Sequence, residues 1–257
     1  MRIDEATSLS KLLDVLDRLR AECPWDKKQT FDSMKSLTVE EVYELVDAIG
    51  EENPQEIKKE LGDVLLHVVF YAKMASEKGW FGTTEVIDSL IEKLVYRHPH
   101  IFADTSVTGE EEVLQNWEKL KLKEKGGNKR VLDGVPKTLP PLIKASRIQE
   151  KARNVGFDWD KKEDVWFKVK EEIAEVQEEI DNKNQESLES EFGDLLFSIV
   201  NAARLYGVDP NSALEKTNKK FIKRFNHIEE SAIKNNQKLD EMSLEEMDHY
   251  WNEAKKM

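Results

Sequence analysis

The sequence offers one cysteine, seven prolines and eleven glycines in 257 residues. Cys23 has no second cysteine to pair with, which excludes an internal disulfide framework and suits a reducing cytoplasm. Scarce glycine and proline argue against a fold of strands joined by tight turns. Positive charge is also in deficit, with 39 Lys and Arg against 52 Asp and Glu and a net charge of −13. A chain so acidic is not built to coat a nucleic-acid backbone, although an anionic substrate that arrives with a metal ion remains open to it. Long apolar runs are missing too. The longest, near Val64–Phe70, is short and interrupted by His67, and the opening "MRIDEATSLSKLL" contains no apolar signal-peptide core. Neither a signal peptide nor a membrane span is expected.

Charge, at 35% of residues, is what the chain has instead, and it is arranged in duplicate. "ELGDVLLHVV" from Glu60 returns as "EFGDLLFSIV" from Glu191, and "EEVYELVDAI" from Glu40 returns as "EEIAEVQEEI" from Glu171. A shift of 131 pairs Glu40, Glu41 and Glu44 with Glu171, Glu172 and Glu175, and pairs Glu60 and Asp63 with Glu191 and Asp194. Further along, a shift of 127 pairs Lys93, Arg97 and His100 with Lys220, Arg224 and His227, and a shift of 134 pairs Trp117 with Trp251. Order is preserved and the shift changes only between elements, as expected of a tandem repeat whose loops absorb insertions.

The patterning predicts an all-α protein of two modules with about four helices each. Residues 126–141, with Gly126-Gly127 and three prolines, read as a linker between a module at 1–125 and another at 142–257. "TVEE" at Thr38 and "DKKE" at Asp160 resemble N-terminal caps. The second helix of each copy is expected over about Pro54–Lys78 and Glu186–Tyr206, with Gly79 and Gly207 as stops. Asp209-Pro210 supplies a cap and a first-turn proline for the next helix.

Residues three or four apart share a helix face, so Glu172 and Glu175 point together, as do Glu191 and Asp194. Like charges at that spacing cost about 0.2–0.5 kcal/mol per pair even at a surface. Four converging between two antiparallel helices call for a cation, and hard oxygen ligands suit Mg²⁺, with Mn²⁺ as substitute. A single ExxE in an acidic chain is usually a solvated face; here both copies keep the acids at fixed spacing. Glu41, Glu44, Glu60 and Asp63 form the matching candidate site in the first module. Gly62 and Gly193, inside these helices, suggest the close approach of another backbone or a ligand.

The EExxE and ExxD segments, together with "CPWDKKQTF" at Cys23, "YRHPHIFAD" at Tyr96, "NVGFDWD" at Asn154 and "KFIKRF" at Lys220, resemble the MazG-type nucleoside triphosphate pyrophosphohydrolases over essentially the whole chain. The resemblance implies an all-α fold, a homodimer, and Mg²⁺-dependent cleavage of an NTP or dNTP to a monophosphate and pyrophosphate. It implies metal binding by Glu172, Glu175, Glu191 and Asp194, with Glu171 or Glu172 serving the attacking water. Lys220 and Arg224, one helical turn apart, are candidates to grip phosphate, and Trp251 to stack on a base. Each also has a plainer reading, as an exposed basic face or as packing.

Two differences between the copies favour the second module as the general hydrolase. Asn201 stands where the first copy has Phe70, and Lys168 stands where it has Leu37. Asn can hydrogen-bond a sugar or base; Lys can hold phosphate, or pair with Glu172 one turn away. The first module keeps Lys93 and Arg97 and so retains a possible second phosphate site. Among alternatives, a ferritin-like di-iron site needs two Glu-x-x-His pairs, and only Glu246…His249 fits. The sequence is also compatible with a non-enzymatic nucleotide-binding module and with a pyrophosphohydrolase specialised for one nucleotide such as dUTP.

Overall fold

The computed structural model describes residues 2–124 and 130–256. Among them no strand occurs, and the regular structure is helical throughout. Internal packing divides the chain into a unit at 1–106 and a unit at 107–257. Part of the expected linker, including Gly126-Gly127, lies outside the described residues; its remainder carries a 3₁₀ turn at Val131–Gly134.

The first unit holds α1 (Arg2–Glu22), α2 (Phe31–Gly50), α3 (Pro54–Glu77), α4 (Thr83–Arg97) and the single turn α5 (Pro99–Phe102). Helix α2 begins earlier than the sequence suggests. Thr30 is the cap: its Oγ1 accepts from the Ser33 backbone N–H at 3.1 Å, and Ser33 Oγ accepts from the Thr30 N–H at 2.9 Å. Thr38, expected to be the cap, lies inside the helix. Its hydroxyl donates to the Met34 carbonyl at 2.8 Å and also meets His67 Nδ1 and Tyr71 Oη, each at 2.7 Å. One hydroxyl has one proton, so with that proton on Met34 the Nδ1 of the buried His67 and the Tyr71 hydroxyl donate to it. Asn53 caps α3, which packs back along α2 as a hairpin. Leu16, Met34, Val69, Phe70 and Met74 form the apolar core, with Leu37 and Tyr71 packed against them. Each such large side chain contributes about 1.5–3 kcal/mol through burial.

The second unit holds α6 (Glu110–Lys123), α7 (Pro141–Arg153), α8 (Val165–Asn182), α9 (Gln185–Leu205), α10 (Pro210–Lys234) and α11 (Leu244–Ala254). Asp160 is not the cap of α8, which starts at Val165 directly after a 3₁₀ turn at Lys162–Asp164. Lys183, at φ 55°, turns the chain, and Asn184 caps α9, which returns along α8. Gly207, at φ 70°, ends that passage, as Gly79 at φ 67° does in the first unit. Asp209 accepts from the Ser212 N–H at 2.7 Å to cap α10, as its sequence predicts. Helix α7 packs against α9. Val165, Val169 and Ala202 form the core of the α8–α9 pair.

A Cβ added at Gly62 or Gly193 would meet nothing within 4 Å, so among the described residues no other backbone makes the close approach that these glycines allow. No helix of the described residues is long and apolar enough to cross a membrane.

Candidate active site

The α8–α9 hairpin brings a carboxylate oxygen from each of Glu172, Glu175 and Glu191 within 4.8 Å of the other two. Glu172 is buried and the others are half-buried. The α2–α3 hairpin does the same with Glu41, Glu60 and Asp63. The copies therefore share an equivalent pair, Glu41 with Glu60 and Glu172 with Glu191, and differ in the third member. Asp194 lies instead on the wall of the adjoining cavity, beside Glu172 and Glu175, while Glu44 falls outside the first triad.

Carboxylates this close repel, and the effect is visible. Lost solvation, then the neighbouring Glu172, push the Glu175 carboxyl above its ordinary 4.5. In the first unit, lost solvation, then Asp63 and Glu44, push Glu41 up in the same way. Glu60 is buried; its Oε1 takes the Lys59 ammonium at 2.8 Å, but its Oε2 has no hydrogen-bond partner. Crowded anionic oxygens with an unsatisfied buried lone pair fit a hard divalent cation such as Mg²⁺ or Mn²⁺.

Lys168 supplies a counter-charge in the second unit. Its Nζ lies 2.6 Å from Glu172 and 2.9 Å from Glu171, and these hydrogen bonds hold the ammonium well above the usual lysine range. The structure thus contains the helical ion pair that the spacing allowed. Glu171 is more exposed than Glu172 and stands at the edge of the triad.

Beside these acids lies a cavity of about 750 Å³. Phe157, Trp159 and Phe197 give it aromatic surface, and Gln149, Ser198 and Asn201 give it polar groups. Arg204, also in the wall, donates to Asn201 Oδ1 and to Asp158. At the equivalent places the first unit has Leu37 for Lys168, His67 for Ser198 and Phe70 for Asn201. Phe70 is in the core and Leu37 packs against it, so two of these three changes are apolar fillings of the first unit.

Other candidates are placed elsewhere. Lys220 and Arg224 lie on α10 and Trp251 on α11, and none of them lines the cavity. Arg224 sits 5.4 Å from the centre of the Trp251 ring, and Phe221 packs on the same ring at 5.1 Å. Lys93 and Arg97 lie on α4, outside the first triad. Conversely, the cavity wall includes Gln149, Asp158 and Arg204, for which the sequence suggests no role. Asp158 and Trp159 lie within "NVGFDWD", which marked the segment without giving its side chains a role; Gln149 and Arg204 carried no sequence signal.

Known proteins are similar to this chain over these same elements. The MazG nucleotide pyrophosphohydrolase domain matches it twice, at residues 29–102 and 162–229, covering both hairpins. A Thermotoga maritima protein named nucleoside triphosphate pyrophosphohydrolase/pyrophosphatase MazG is 46% identical over 95% of this chain and 94% of its own. An Escherichia coli K12 nucleoside triphosphate pyrophosphohydrolase is 42% identical over 96% and 97% respectively. The uncharacterized Bacillus subtilis protein YabN is 49% identical over 91% of this chain, which spans 48% of YabN.

Proposed function

The chain belongs to the MazG nucleotide pyrophosphohydrolase family, and on that premise we propose that its second unit is a Mg²⁺-dependent hydrolase cleaving NTPs and dNTPs of any base between the α and β phosphates. One observation carries the placement: the Glu172, Glu175 and Glu191 oxygens meet beside a cavity large enough for a nucleoside. In the first unit Leu37 and Phe70, packed in the apolar core, stand at the positions of Lys168 and Asn201.

In this reading Glu172, Glu175, Glu191 and Asp194 hold the metal. A bound divalent ion supplies charge neutralisation for the polyphosphate and a lowered pKa for a coordinated water. Glu171, at the edge of the triad, orients a water or takes its proton. Lys168 passes from the carboxylates to the incoming phosphates, where its charge is of more use. Asn201 faces the nucleoside. Lys220, Arg224 and Trp251 lie off this cavity, so a phosphate or base role for them requires a second copy of the chain. A homodimer is part of the proposal: Ile173, Ile180, Phe192, Leu196, Phe221 and Ile222 leave much apolar surface exposed on α8, α9 and α10.

The test is a product assay on the full chain with Mg²⁺ and a panel of NTPs and dNTPs, run beside Glu175→Gln. Monophosphate plus pyrophosphate is expected. The variant should be slower by about 100-fold or more, the scale of losing one group that stabilises transition-state charge. Diphosphate plus phosphate would overturn the cleavage position. An unimpaired variant would overturn the choice of site.

A further inference from the structure

Two amide side chains line the cavity, and each is fixed by a partner that acts in one direction only. Asn201 Oδ1 accepts from Arg204 Nε at 3.1 Å and from Nη2 at 2.8 Å. A guanidinium donates and never accepts, so the amide oxygen must face it and the NH₂ must face away. The guanidinium is itself held. Its side chain is 11% exposed, and it donates to Asp158 through both terminal nitrogens, at 3.0 Å from Nη1. On the other side, Gln149 donates from Nε2 to the Phe197 carbonyl at 2.8 Å. A carbonyl only accepts, so this amide is fixed in the opposite sense. Gln149 is 6% exposed, and its Oε1 is buried with no hydrogen-bond partner. In a helix the residue 197 carbonyl is the one that pairs with the residue 201 N–H. The two amides are therefore anchored within one turn of each other.

We propose that Asn201 and Gln149 read the edge of the nucleobase, Asn201 as a dedicated donor and Gln149 as a dedicated acceptor, with Arg204 as the residue that positions Asn201. The assignment rests on the hydrolase reading above and deepens it. A sugar hydroxyl rotates to donate or to accept, so it would bond an amide of either polarity and does not call for fixed ones. A base edge presents donors and acceptors that cannot exchange places, and fixed amides complement it. Each canonical base carries both kinds of group, so the arrangement requires a base while choosing weakly among bases. Phe157, Trp159 and Phe197 provide aromatic surface for the flat faces. In the free protein the Gln149 oxygen is an unsatisfied buried acceptor, a penalty that an N–H from the ligand removes.

The test is calorimetric binding to the intact protein in Mg²⁺, with three probes: α,β-methylene-ATP, the same molecule with benzimidazole in place of adenine, and inorganic tripolyphosphate. Asn201→Asp keeps an oxygen for Arg204 and turns the cavity-facing donor into an acceptor. We expect it to weaken α,β-methylene-ATP by about 5- to 150-fold, while the other two probes change by less than about twofold. Gln149→Met should give the same pattern, with the thermal midpoint as a folding control. If Asn201→Asp weakens all three probes alike, or none, the base-edge assignment is overturned. Wild-type protein that binds the adenine and benzimidazole nucleotides equally overturns it as well, leaving the hydrolase reading in place. Wild-type protein that binds none of the probes overturns both.

Discussion

Lys168→Met removes the ammonium that lies 2.6 Å from Glu172 and 2.9 Å from Glu171. Glu172 has a side chain only 4% exposed, so without metal the variant leaves a buried carboxylate short of a charged partner. Such a loss costs about 1–3 kcal/mol when both partners are buried. Lys168 is 41% exposed, and solvent already screens its end of the pair, so about 1–2 kcal/mol is the appropriate range. For a unit of this size that lowers the thermal midpoint by about 2–8 °C. The lysine's raised pKa gives a contribution that is whole below the ordinary 10.5 and is lost only at higher pH, so melts at neutral pH see all of it. Excess Mg²⁺ changes the outcome, because a cation among the carboxylates replaces the missing charge. The deficit between variant and wild type should then shrink to under about 1 °C. Lys168 and metal compete for Glu172, so the nucleotide-free variant should also bind Mg²⁺ more tightly than wild type. Paired melts in EDTA and in Mg²⁺, with Mg²⁺ calorimetry, measure both effects. Equal deficits in the two buffers would refute the reasoning, since they would mean that lysine and metal do not share a site.

Two further outcomes follow from the same geometry. Glu41 and Glu175 have carboxyls pushed above the ordinary 4.5, so their contribution to stability is whole below that value and is lost as pH rises through the raised one. Metal-free protein should therefore lose stability from these groups as pH climbs from 4.5 toward neutrality, and Mg²⁺ should abolish that loss; melts across the interval in EDTA and in Mg²⁺ measure it. Phe70→Ala opens a hole in the first unit's core, where Phe70 is 2% exposed, and should cost that unit about 3–5 kcal/mol in urea unfolding while leaving the nucleotide turnover proposed for the second unit unchanged. Turnover that falls with Phe70 would place chemistry in the first unit.

Much of the fold was legible because its signals are local or periodic. Pro54 and Asp209-Pro210 act on the few residues beside them, so these helix starts and the Asp209 cap appear where the sequence places them. Gly79 and Gly207 adopt positive φ at the predicted stops for the same reason. A Thr followed by glutamates looks the same at a helix end as inside a helix, and only the packing of His67 and Tyr71 around Thr38 separates the cases. At Asp160 the chain inserts a 3₁₀ turn before α8, a choice that a four-residue pattern does not encode.

The sequence by itself determined that the protein is helical and duplicated, and that each copy carries paired acids on two neighbouring helices. A helix of period 3.6 puts residues three or four apart on one face whatever lies around it. Tertiary structure decided which oxygens meet. Glu175 completes one triad and Asp63 the other, although each has a counterpart in the opposite copy, because the distance between side chains on two helices depends on how those helices pack. It also placed Lys220, Arg224 and Trp251 off the cavity, and brought Gln149, Asp158 and Arg204 to it. Spacing cannot report such contacts. Gln149 reaches across to the Phe197 carbonyl, and Arg204 ties its neighbour Asn201 to Asp158, which lies 46 residues before the arginine, through bonds that exist only once the helices have packed.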